Sequence, residues 1–230
     1  MGNFLINIIV LIFLYFYAFR TLTILDIHVV SSTVISVPIL IIFAVVMLRM
    51  IRKVDLPWSA YGFTLKGWGK ALVESFLWSI PLLVFIFLIK WVMIHYDPLF
   101  HDVPLFNVSP ALAPGSQQEP NYLLFAILVV SYLIFVPVQE IIYRGAMQST
   151  LEQFLLGKHR TLQSILISNL PFSMIHLHLS FLLTIVVYFV GVYWGWMFAR
   201  QRTLVGCTFS HIVLGLWGFF IIGIQDILFV

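Results

Sequence analysis

The chain has 230 residues, of which 62% are hydrophobic and only 9% are charged, whereas a soluble domain carries about 25% charged residues. This composition excludes an ordinary soluble domain and indicates an integral membrane protein. The formal net charge of +3 is too thinly spread to predict nucleic-acid binding, and the single cysteine, Cys207, excludes an internal disulfide.

Apolar runs long enough to cross a bilayer, about 20 residues each, recur along the chain. They lie near 3–20, 29–50, 71–94, 121–150, 162–179, 181–199 and 204–224. We therefore predict an all-α, polytopic transmembrane helical bundle of about seven spans, forming a single membrane domain over 1–230. The segment 51–70 mixes basic and aromatic residues, so it is predicted to lie in the membrane interface, although an ordinary connecting loop fits equally well.

The basic residues predict the orientation of the chain, because short cytoplasmic loops accumulate Lys and Arg. Nine of the 12 basic residues fall in loops on one side of an alternating topology: Arg49, Arg52, Lys53, Lys66, Lys70, Lys158, Arg160, Arg200 and Arg202. The N-terminus and these loops are therefore predicted to be cytoplasmic. A bacterial inner membrane is expected, since the chain is short and shows no organelle-targeting signal.

Two ionisable residues, Glu140 and Arg144, lie within the fourth predicted span, in the stretch VPVQEIIYRG. An ionised side chain at the bilayer centre costs at least about 2.5 kcal/mol, so such residues normally face a protein interior or a water-filled cavity. Four residues apart on a helix, they share a face and can form a salt bridge. On the pair alone, a structural salt bridge and a functional site are equally good interpretations.

Two histidines reach a similar depth in the membrane. Glu140 lies 18 residues before Lys158, in the turn between spans four and five, and His176 lies 18 residues after it. If the polar residues at 152–153 and 163–164 mark the cytoplasmic edge, Glu140 and His176 lie about 15 to 20 Å into the membrane. His211 lies nine residues after Arg202, which is about 14 Å along a helix. The common depth favours a site over separate structural residues.

These residue types point to hydrolysis by an activated water molecule. Glu and His can share the proton transfers, while a second His or an Arg stabilises the developing oxyanion. No cofactor is expected; a divalent metal such as zinc stays a weaker alternative, because no H-E-x-x-H pair is present. A proton-coupled transporter uses similar residues, but the two related halves it predicts are absent from the sequence.

Three motifs occur in order between about 121 and 224: QEIIYR at 139–144, FSMIH at 172–176 and HIVLG at 211–215. They resemble the E-E-x-x-x-R, F-x-x-x-H and H-x-x-x-N motifs of the CPBP (CAAX protease and bacteriocin-processing, or Abi) intramembrane proteases. This family is related to the Rce1-type CAAX prenyl endopeptidases.

The resemblance implies a role for each matching residue. The first glutamate and the second-motif histidine, here His176, would activate the water, while His211 would donate to the oxyanion. Glu140 and Arg144 would be supporting residues. The implied partners are membrane lipids and a hydrophobic or lipidated peptide or protein substrate.

Two positions depart from the family pattern: Gln139 stands where the first glutamate belongs, and Gly215 stands where an asparagine often stands. Glutamine cannot accept a proton at neutral pH, and losing a general base typically costs about 100- to 10,000-fold in rate. Three interpretations of Gln139 stay open: an engineered silencing substitution, a natural enzyme in which Glu140 is the base, or a catalytically dead regulatory or immunity protein. In place of the missing asparagine, a backbone amide or Asn169 is a possible donor.

Overall fold

The computed structural model describes residues 32–53, 56–108, 121–177 and 179–228, together with isolated positions between 6 and 21. The first predicted span, near 3–20, lies outside these ranges apart from those isolated positions. The part of the 95–120 connection after residue 108 also lies outside them.

All regular secondary structure in the described ranges is helical, as the composition predicts. The main helices are α1 (Ser32–Arg52), α2 (Trp68–Tyr96), α3 (Tyr122–Phe154), α4 (Arg160–Met174), α5 (Phe181–Gln201), α6 (Leu204–Ile222) and α7 (Gln225–Leu228). Within these ranges there is no β-strand. The all-α fold class is therefore confirmed.

Four of these helices, α2, α3, α5 and α6, are long and apolar enough to cross a membrane. They lie at the third, fourth, sixth and seventh predicted spans and support a helical membrane bundle. The described residues do not give seven spans, and the clearest difference is the fifth. There α4 has 15 residues, about 22 Å of helix against a hydrocarbon core of about 30 Å.

The early end of α4 has a local cause. After Met174 the backbone tightens into a turn, in which the amides of His176 and Leu177 donate to carbonyls three residues back, at 2.9 and 3.1 Å. Such bonds close the last turn of a helix. Ser180 then begins α5, because its hydroxyl accepts a hydrogen bond from the amide of Leu183.

Two spans contain a π-helical turn next to a motif. In α3, the α-helix Tyr122–Glu140 passes into the π-helix Ile141–Gln148. In α6, the α-helix Leu204–Gly215 passes into the π-helix Leu216–Ile222. Wider turns of this kind inside α-helices are frequent at functional sites. Both spans thus change their helical geometry directly at the residues that the motifs single out.

The connection before α2 is structured and packs on the bundle. Residues Trp58–Tyr61 form one 3₁₀ turn, and Tyr61 is buried. Gly62 follows with φ of 81°, and a Cβ there would overlap the ring of Phe198. Its carbonyl accepts a hydrogen bond from the amide of Leu204 at 3.1 Å. A glycine is therefore needed where this connection meets the start of α6.

A buried lysine closes the far end of α6. The Lys90 ammonium donates to the carbonyls of Ile222 and Gly223 at 2.6 and 3.0 Å and lies 3.2 Å from a carboxylate oxygen of Asp226. Helix C-termini leave carbonyls unsatisfied and attract positive charge. Lys90, which the sequence places inside a span, is thus a capping residue for a neighbouring helix.

A second ion pair joins the opposite ends of the helices. Arg202 donates to both carboxylate oxygens of Glu152, at 2.8 and 2.9 Å, and Thr161 donates to the same carboxylate at 2.7 Å. The hydrogen bonds to Glu152 raise the pKa of Arg202 above its ordinary value. The ends of α3, α4 and α5 are held together at this point.

Candidate active site

A carboxylate, a guanidinium and an imidazole meet inside the bundle. The Glu140 carboxylate lies 3.3 Å from Nε of Arg144 and 2.7 Å from Nδ1 of His211. The side chains of Glu140 and Arg144 are fully buried, and that of His211 is 9% exposed. The predicted contact between Glu140 and Arg144 is confirmed. His211, which lies 71 positions after Glu140 in the sequence, binds the other oxygen of the same carboxylate.

Arg144 is held by backbone and ring groups of two other helices. Its Nη2 donates to the side-chain oxygen of Asn169 at 3.0 Å and to the carbonyl of Gly191 at 2.8 Å. The guanidinium lies over the ring of Phe172, 4.5 Å from its centroid, a favourable cation–π distance. These contacts hold the guanidinium beside the Glu140 carboxylate.

Small residues on α5 make this close approach possible. A Cβ at Gly191 would overlap the side-chain oxygen of Asn169 and lie 3.0 Å from Phe172. One turn further, the Gln148 amide donates to the carbonyl of Gly195 at 2.9 Å, and a Cβ at Gly195 would lie 2.9 Å from the Gln148 oxygen. Two polar residues of α3 thus bind two glycine carbonyls of α5.

His211 has a defined orientation. An ionised carboxylate can only accept a hydrogen bond, so Nδ1 of His211 donates to Glu140 and Nε2 is the ring's remaining polar atom. The imidazole stacks on Trp194, with ring centroids 3.8 Å apart and planes within 19°. On another side, Tyr132 meets the ring edge to face at 6.3 Å. The rotamer and tautomer of His211 are set by these neighbours.

His176 comes to the same region from the turn after α4. Its Nδ1 donates to the backbone carbonyl of Phe172 at 3.0 Å, which again makes Nε2 the remaining ring nitrogen. The Phe172 ring lies 5.5 Å from the His176 ring and 5.9 Å from the His211 ring. One aromatic side chain of the second motif therefore contacts both histidines.

Gln139 is separated from this cluster. It precedes Glu140 by one residue, so its side chain points about 100° away around the helix. It is partly exposed, whereas Glu140 is fully buried. Of the five residues predicted for the site, Glu140 pairs with both Arg144 and His211. His176 contacts Phe172, which also contacts His211, and Gln139 is partly exposed.

Asn169, the possible substitute for a missing donor, already has partners. Its oxygen accepts from Arg144, and its amide donates to the carbonyl of Ile165 at 2.7 Å. It therefore orients the arginine. Across the described part of the chain, no group of three or more His, Cys, Asp or Glu side chains is placed to hold a metal ion.

The sequence reasoning missed Trp194, Tyr132 and the two glycines of α5. The G-x-x-x-G spacing of Gly191 and Gly195 is a signal for close helix contact, and it gives the one indication that was available. Trp194 and Tyr132 look like ordinary aromatic residues of an apolar span, so nothing in the sequence separates them from lipid-facing neighbours.

The fold and the site together define a class: a helical membrane protein that buries an ion-paired carboxylate against an imidazole. Residues 121–217, which contain all three motifs, match the Rce1-like family model, described as type II CAAX prenyl endopeptidase Rce1-like. The resemblance to the CPBP and Rce1-related family is thereby confirmed for this part of the chain. No curated protein and no solved structure matches the chain.

Proposed function

We propose that the protein is an intramembrane endopeptidase that hydrolyses peptide bonds in membrane-associated or lipidated peptide or protein substrates. The observation that carries the proposal is the buried hydrogen bond between Glu140 and His211 at 2.7 Å, within residues that match an endopeptidase family. Burying an ionisable pair in a membrane span is costly, and residues of this kind usually mark a functional site.

The proposed chemistry is attack by a water molecule that a Glu/His pair activates. When neutral, His211 can take a proton from water at Nε2, and Glu140 then stabilises the imidazolium that forms. When protonated, the same nitrogen donates to an oxyanion. His176, with its Nδ1 anchored on a backbone carbonyl, is the second proton carrier.

Arg144 has a supporting role in this mechanism. It keeps Glu140 ionised, because a neutral carboxylic acid beside a buried guanidinium would leave the positive charge uncompensated. Its own position depends on Asn169 and Gly191. We propose no cofactor, and activity that survives chelation would support a water activated by side chains alone rather than by a divalent metal.

Gln139 favours a second candidate function. An amide cannot act as a base, and Glu140 already uses its oxygens on His211 and Arg144. A catalytically inactive family member that acts as a membrane regulatory or immunity protein would keep this buried network for stability alone. The two candidates differ in whether any form of the chain cleaves a peptide.

We also propose the remaining features of the architecture: about seven spans in a single membrane domain, an interfacial segment near 51–70, and basic loops and an N-terminus in the cytoplasm of a bacterium. The support is the one-sided distribution of nine basic residues and the exposed indole of Trp68 at the start of α2. Cysteine accessibility in intact cells, with new cysteines placed at exposed loop positions, tests this orientation.

The deciding experiment compares the Gln139 sequence with Gln139→Glu, each alone and with His176→Ala or His211→Ala. Purified proteins in liposomes are assayed against hydrophobic and lipidated reporter peptides. Cleavage by Gln139→Glu alone, lost with His176→Ala, would assign the base to position 139. Cleavage by the Gln139 form that depends on both histidines would assign it to the Glu140–His211 pair. If no form cleaves, the endopeptidase proposal fails for these substrates, and capture of partners from native membranes tests the regulatory alternative.

A further inference from the structure

The hydroxyl of Tyr132, on α3, occupies the space beside Gly215, on α6. A Cβ built on Gly215 would overlap the phenol oxygen and would lie 3.0 Å from the Cε1 atom of the same ring. Any side chain at 215 would therefore displace Tyr132. The glycine at 215 and the tyrosine at 132 are a matched pair across two helices.

The same hydroxyl reaches the backbone of a site residue. It donates to the carbonyl of His211 at 3.2 Å, and a carbonyl has two lone pairs, so it can accept this bond in addition to one within the helix. The Tyr132 ring also meets the His211 imidazole edge to face. One side chain thus contacts His211 at both its backbone and its ring.

The contacts of Tyr132 matter because of where they meet α6. Gly215 is the last α-helical residue before the π-helix Leu216–Ile222, so the hydroxyl contacts the helix where its geometry changes. A shift of α6 there would move Nε2 of His211, while Nδ1 is held by Glu140. A displacement of about 1 Å at a reacting group can cost about 100-fold in rate.

We propose that Tyr132 is a positioning residue for His211, and that its hydroxyl supplies the polar contact that Gly215 cannot make. The inference rests on the proposed function, since positioning matters only if His211 takes part in the reaction. The structural half of the proposal, that the phenol fixes the His211 ring, is measurable without any substrate.

The test uses four variants: Tyr132→Phe, Tyr132→Ala, Tyr132→Ala with Gly215→Asn, and Tyr132→Ala with Gly215→Leu. Asparagine restores a hydrogen-bond donor within the volume that the ring vacates, whereas leucine fills the same volume without one. The first measurement is the rate at which diethylpyrocarbonate modifies His211, read at the peptide level by mass spectrometry. The second is kcat and KM on a cleaved reporter peptide, in the Gln139→Glu background.

We expect Tyr132→Phe to raise the modification rate of His211 about tenfold and to lower kcat by a similar factor with KM unchanged. Gly215→Asn should reverse both effects of Tyr132→Ala, and Gly215→Leu should not. An unchanged rate in Tyr132→Phe, or equal rescue by leucine, would overturn the proposal. If no form cleaves, the proposed function has failed, and the modification rates still decide whether Tyr132 fixes His211.

Discussion

Replacing Arg144 with methionine tests whether the buried network depends on charge compensation. The change leaves the fully buried Glu140 carboxylate with the His211 imidazole and the Cys207 thiol as polar partners, neither of them a permanent cation. Removing one member of a buried ion pair costs about 3–5 kcal/mol, because the other charge stays buried. Since His211 still donates to the carboxylate, we expect the lower end, about 3 kcal/mol, which is more than about 100-fold in the opening equilibrium.

The single cysteine provides the assay. Cys207 is fully buried beside the network, so a thiol-reactive dye labels it only when the helices around it separate. The labelling rate in detergent micelles should rise more than about 100-fold in Arg144→Met. The matched control is Lys70→Met, an exposed basic residue, which should change the rate by no more than about twofold.

A double variant separates lost charge compensation from lost packing. Glu140→Gln combined with Arg144→Met removes both charges, and neutral replacement of a buried ion pair is often close to neutral in stability. Its labelling rate should return to within about tenfold of the parent. If Arg144→Met labels less than about tenfold faster than the parent, or if the double variant is as labile as the single one, the charge argument is wrong.

Three further predictions follow from the contacts described above. Gly191→Ala should destabilise the bundle by about 1–3 kcal/mol, because its methyl group would overlap Asn169. The control Gly69→Ala, in a helix with open space around it, should be neutral or stabilising. Thermal unfolding in detergent compares the two variants. Lys90→Met should loosen the end of α6, since it removes a charged donor from the carbonyls of Ile222 and Gly223. Faster proteolysis near the C-terminus measures this loosening, and an unchanged digestion pattern would contradict the capping role. Arg202→Gln should lower the free energy of unfolding by about 1 kcal/mol or less, because the arginine side chain is 59% exposed. A larger fall in unfolding temperature than in Gly191→Ala would contradict this expectation.

Helical periodicity and counts along the chain were enough to predict which residues meet at the centre of the candidate site. The spacing of four residues gave the Glu140–Arg144 pair. Equal distances from Lys158 predicted that Glu140 and His176 are level, and the distance of His211 from Arg202 predicted a similar depth for it. These rules work because a helix advances a fixed distance per residue. The roles assigned to the individual residues stay predictions.

The neighbours of the site could not be predicted in the same way. Arg144 donates a hydrogen bond to the carbonyl of Gly191. The sequence of an apolar span does not predict which donor a glycine carbonyl will bind. The end of α4 at Met174 was also missed, because the apolar run continues to 179. The length of an apolar run predicts whether a segment can lie in a bilayer, whereas the residue at which a helix ends depends on local hydrogen bonds.

The bonds that cross between helices at the site end largely on main-chain oxygens. Arg144 and Gln148 bind the carbonyls of Gly191 and Gly195, and Tyr132 binds that of His211. A carbonyl is present whatever the side chain, so besides Trp194, which stacks on His211, α5 needs only two small residues at its contact with α3. The residues on the outer surface of α5 can therefore be substituted to suit bilayers of different thickness, or to make a water-soluble variant, with the polar network left intact.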